Sequence, residues 1–165
     1  MNPTAVTVPS ALSSHLPEYD TRAPATLLED GRYLVAGKYA LFLVEQQGIV
    51  DSGMWYQVQY ASWNADNKKL RILWTDPEAP PLTLTTVDDD PKKFMRTLTS
   101  RVDNTIVASR HRQLPSGTTV TVTVRRRADG QLFSSVLADG DVQVADEPYL
   151  DALENEVRGE VGLGD

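Results

Sequence analysis

Two arginine runs, Arg110-His111-Arg112 and Arg125-Arg126-Arg127, carry the side chains of this 165-residue sequence best suited to binding chemistry. Guanidinium groups present a planar fork of donors to phosphate or carboxylate. A fold that gathered Arg110, Arg112, Arg125, Arg126 and Arg127 with Arg101 would therefore build an anion site for a phosphate, an acidic peptide or a lipid head group. A plainer account covers the same residues. Cations near a helix C-terminus offset the macrodipole, and solvated charge beside a hairpin turn is ordinary. The acidic run Asp88-Asp89-Asp90, with Asp139, Asp141, Asp146 and Glu147, offers oxygen ligands for a hard cation. The 139–147 stretch, however, lacks the ligand spacing and central glycine of an EF-hand loop, and Asp at these places caps helices.

Material for catalysis is thin. His15 lies in a proline-rich segment and His111 between two arginines, and neither has an identifiable carboxylate partner for general-base work. Ser134-Ser135 lack the Gly-x-Ser-x-Gly turn of a hydrolase nucleophile, and there is no glycine-rich phosphate loop. The sequence thus reads as a binding protein and not an enzyme, with no catalytic residue, cofactor or metal site. A pair of carboxylates that no motif reveals is the remaining route to an enzyme. The net charge of −7 repels phosphate backbones and anionic lipid, which counts against nucleic acid and membrane partners. No run approaches the length of a membrane span, and the absence of cysteine fits a reducing, cytoplasmic setting.

The elements that position these side chains follow from periodicity. Residues 1–24 hold Pro3, Pro9, Pro17 and Pro24 among Ser and Thr and read as an extended arm. From residue 25 to 165 one α+β domain is expected. Strands alternate through Gly31 to Val44, Ile49 to Ser62, Lys69 to Thr75 and Leu82 to Thr86, forming an antiparallel meander in a bent sheet or partial barrel. Phe94, Leu98, Val102 and Ile106 then recur every fourth residue, predicting a long amphipathic helix over about 90–113 with Pro91 at its start. A hairpin with its turn at Asp129-Gly130 and a C-terminal helix carrying Leu150, Leu153, Val157 and Val161 complete the chain. Trp55, Tyr56, Tyr60, Trp63 and Trp74 cluster in the hairpin of the meander. Strict alternation sets Trp55 and Trp63 opposite Tyr56 and Tyr60, making Trp55 and Trp63 candidates for an interface.

The order of these elements, carried by Tyr39-Ala40-Leu41-Phe42-Leu43-Val44, Trp55-Tyr56-Gln57-Val58, Leu70-Arg71-Ile72-Leu73-Trp74, Leu82-Thr83-Leu84 and the helix after Asp90-Pro91, resembles the bacterial pleckstrin-homology-like domains. The resemblance covers about half the chain. It implies a core over 25–114 in which the helix plugs an open end of the sheet, and work in protein interaction or self-association; the hairpin-helix extension over 115–165 is not required by the family pattern. Five or six strands are legible before the helix, where the family has seven. The Asn64 to Lys69 loop also lacks the basic motif that phosphoinositide binding requires.

Overall fold

Alternating apolar residues make strands of much of the first hundred residues. In the computed structural model, which describes residues 7–163, these strands form two antiparallel sheets. The first pairs β1 (Ala25–Leu27), β2 (Tyr33–Ala36), β3 (Ala40–Glu45) and β4 (Gly48–Met54) in chain order. The second pairs β5 (Val58–Asn64), β6 (Lys69–Trp74) and β7 (Leu82–Thr85). An isolated bridge between Leu28 and Thr86 links β1 to β7, and the sheets are not closed into a barrel. Seven strands therefore precede the helix, and not five or six. The one hidden from the sequence is β1, whose three residues are too few for alternation to register.

Helix α2 (Lys92–Asp103) buries Phe94, Leu98 and Val102 against Leu34, Leu41, Val58, Leu70 and Ile72. Each such side chain contributes about 1.5–3 kcal/mol by leaving water. The expected helix over 90–113 is corrected here: it stops at Asp103, and Ile106–Gln113 is strand β8. The stripe holds its helical phase through Ile106, but Thr105-Ile106-Val107 is β-branched throughout and gains more by pairing with a neighbouring strand than by continuing the helix.

The expected extended arm is also revised over its described part, residues 1–6 lying outside the described residues. A short helix, α1 (Ser10–Ser13), and a 3-10 turn at Glu18–Asp20 break it up, and Val8, Leu12 and Leu16 are buried with Ala25, Val35 and Val44. The prolines set where these turns begin: Pro9 and Pro17 each sit just before one.

The chain divides into two compact units between Asp103 and Asn104, where the sequence reading has one domain. In the second, β8 (Ile106–Gln113), β9 (Thr119–Arg126) and β10 (Leu132–Asp139) form a separate antiparallel sheet with β9 in the centre. Helix α3 (Glu147–Glu160) packs on β8 and β9, burying Leu153 and Val157 against Val120, Val122 and Val124. Among the described residues no helix is long and apolar enough to cross a membrane.

Candidate functional site

Period-2 geometry puts Arg110 and Arg112 on one face of β8, the face that meets α3. There Arg110 Nη2 lies 2.7 Å from Glu160 Oε2, and Arg112 Nη2 donates to Glu156 Oε2 at 3.2 Å. Glu156 and Glu160 stand one helical turn apart, so two steps of strand match one turn of helix. These pairs are about half exposed, which limits each to about 0.2–1 kcal/mol. At the other margin of α3, Ser134 Oγ donates to Glu154 Oε2 at 2.8 Å and lies 3.2 Å from Arg158 Nη1. The arginines thus serve first to seat the helix on its sheet.

The second run diverges from the first. Arg125 has the opposite parity to Val124 on β9, and its buried side chain donates to Thr105 Oγ1 at 3.3 Å. Arg126 and Arg127 are exposed, with the Arg127 guanidinium 4.6 Å from the centre of the Phe133 ring. Arg101 belongs to the last turn of α2 in the first unit. Within the second unit the arginines therefore distribute over two strand faces and a hairpin end, and Arg110 and Arg112 already face carboxylates.

The acidic residues organise loops. Asp88 Oδ1 accepts the Asp90 amide at 2.8 Å, and Asp89 pairs with Lys68 at 2.7 Å. Asp146, buried, accepts the Ser116 hydroxyl at 2.5 Å, the Ser116 amide at 3.1 Å and the Gln143 amide at 3.0 Å. The Ser116 hydroxyl above all, with the two amides, holds this carboxyl below its usual range against the opposing effect of burial. His15 Nε2 lies 3.0 Å from Gln46 O, and His111 is exposed on β8.

The aromatic prediction needs correcting. Trp55 sits in a 3-10 turn (Trp55–Gln57) between the two sheets, is 4% exposed, and donates its indole N–H to Gly37 O at 2.9 Å. It is core and offers no interface. Trp63 is half-buried against the same core and donates to Thr86 Oγ1 at 3.0 Å. A register shift between Val58 and Tyr60 breaks the alternation, so Val58 is buried while Tyr60 is exposed.

Strand β4 is largely exposed. Among the described residues it pairs only with β3 and forms the end of its sheet, and Ile49, Val50, Asp51 and Ser52 are all exposed in succession. Its far end leads into a groove of about 340 Å³ between β4 and the β6–β7 loop, lined by Asp51, Gly53, Gln57, Trp74, Asp76 and Pro80 among others. Gly53 forms part of this wall because the Trp74 ring lies against it: a Cβ there would come within 2.6 Å of Trp74 Cζ3. Sequence reasoning passed over this site, although the rigid loop Asp76-Pro77-Glu78-Ala79-Pro80-Pro81 directly after a tryptophan was a usable signal.

Neither a family model nor a curated protein matches this chain. Among solved structures it is similar to the FERM and C-terminal domain complex of Drosophila Merlin. The match has 12% sequence identity and a TM-score of 0.43, covering 53% of this chain and 31% of that chain.

Proposed function

We propose that the protein is a protein-interaction module, acting by binding and not by catalysis, whose first unit is a pleckstrin-homology-like domain. Four strands, then three, then a helix that fills the core between them support that architecture. The observation that carries the function is the β4 edge: among the described residues no strand pairs with its outer side, where the Ser52 and Met54 amides donate to the Asp51 and Gln57 side chains, and four consecutive exposed residues include Ile49 and Val50. Such an edge receives an extended segment as an added strand, with main-chain hydrogen bonds supplying affinity.

The test selects nine-residue peptides from a random display library against the whole chain and maps the winners by amide chemical shifts. Micromolar binders that shift amides along Gly48–Met54, and that weaken at least tenfold with Val50→Lys, support the reading. Winners that map elsewhere, or no enrichment over an unrelated bait, refute it. Concentration-dependent sedimentation abolished by the same substitution would identify the added strand as a second copy of this chain.

A further inference from the structure

We infer that the groove beside β4 takes a cationic side chain, the arginine or lysine of the segment that adds to the strand; this deepens the proposed function and rests on it. Asp51 and Asp76 line the groove, no lysine or arginine does, and Glu78 follows in the same exposed loop. Its apolar wall is Trp74 and Pro80. An indole beside carboxylates suits a guanidinium or ammonium on an apolar stem, because the ring face attracts the cation while its methylenes pack on the ring. Gly53 makes this possible, since any larger residue would displace the Trp74 ring. At about 340 Å³ the groove lies near the lower end of ligand sites, about 300–1,000 Å³, which leaves room for one long side chain.

Position ties the groove to the edge. Asp51, Ser52 and Gly53 belong to β4 itself, so a strand added along β4 runs beside the groove, and its alternate side chains stand on the sheet face that carries Asp51 and Gly53. Neither carboxylate is fully committed: one oxygen of Asp51 accepts the Ser52 amide at 2.9 Å and one oxygen of Asp76 accepts the Glu78 amide at 3.0 Å, each through Oδ1.

The test titrates the whole protein with Nα-acetyl-arginine methylamide, its uncharged citrulline counterpart and the glutamate analogue, reading the Trp74 indole N–H and the Gly53 amide by NMR. Saturable millimolar shifts with the arginine probe are expected, at least tenfold weaker with citrulline, and weakened again by high salt. The double substitution Asp51→Asn and Asp76→Asn should weaken the arginine probe at least tenfold. Asparagine retains Oδ1, so the hydrogen bonds to the Ser52 and Glu78 amides survive and folding is not the variable. Equal binding of citrulline, binding of glutamate, or no saturable shift overturns the inference. The two readings fail separately: selected peptides that still map to β4 while the arginine probe fails would remove only the cation, whereas peptides that map elsewhere would remove the strand-addition reading whatever the probe does.

Discussion

Placing a methyl group on Gly37 should expose how tightly the β2–β3 turn is held. In the Gly37→Ala variant the new Cβ would lie 2.5 Å from Asp20 Oδ2 and 2.7 Å from the carbonyl oxygen of Ala40. Even weakly attractive carbon–oxygen contacts sit at about 3.3–3.6 Å, so these oxygens must retreat by about 0.6–1.1 Å. Neither is free to do so. Ala40 O accepts the Gly37 amide at 2.9 Å, and the Asp20 carboxylate, 2% exposed, holds the Lys38 amide at 2.8 Å through Oδ1. Gly37 O in turn accepts the Trp55 indole, so movement of the turn is transmitted to the core. Overpacking costs about 1–3 kcal/mol and weakening the two hydrogen bonds adds to it, while the stiffer unfolded chain returns about 0.4–1 kcal/mol. A net loss of about 2–3 kcal/mol is expected. Tryptophan fluorescence in urea is the assay, because Trp55, Trp63 and Trp74 all lie in the first unit and report on that unit alone. With a denaturant slope of about 1–3 kcal/mol per molar, the midpoint should fall by about 0.7–3 M. Adding Asp20→Ala should make the two changes less than additive, because one of the two clashing oxygens is gone. A midpoint within about 0.3 M of the native one would refute the close packing described here.

Two further outcomes concern the second unit. A double-mutant cycle on Arg112 and Glu156 should give a coupling of about 0.2–1 kcal/mol that salt diminishes, and the swap Arg112→Glu with Glu156→Arg should recover most of it; a coupling above about 2 kcal/mol would mean the pair is desolvated and not a surface clasp. Asp146 titrates below its usual value in the folded protein, so the stability it contributes is complete above the unfolded carboxylate pKa and is lost as pH falls through the lower folded value, below about pH 4. Ser116→Ala should move that titration upward by NMR, and Asp146→Asn should flatten the acid loss; an unchanged titration in Ser116→Ala would sink the assignment.

Where pairing is local and strands are long, alternation in the sequence reports them faithfully. Leu70, Ile72 and Leu84 are buried as period 2 requires, and Gln46-Gln47-Gly48 turns between β3 and β4. The end of α2 is another matter. Phe94, Leu98, Val102 and Ile106 stay in phase, so no feature of the stripe marks Asp103 as the last helical residue. What ends the helix is partnership with β9, whose Arg125 stands opposite Ile106. That event depends on residues distant in sequence, and helix periodicity contains no term for it.

The same limit governs the candidate sites, and it explains why the partners of the arginines and the β4 groove were both illegible in the sequence. Residue type suggested an anion site, but the partners of Arg110 and Arg112 lie on a helix that begins at Glu147, and only the fold reveals that the charges are already matched. The groove is the converse case, for Gly53, Trp74 and Pro80 look unrelated until the turn at Trp55–Gln57 carries the chain from one sheet to the other. That arrangement also separates two kinds of recognition. Backbone pairing along β4 is indifferent to peptide sequence, so Val50→Lys should weaken every bound segment alike. The groove acts on one side chain, so the loss of Asp51 and Asp76 charge should weaken only segments that place a cation there.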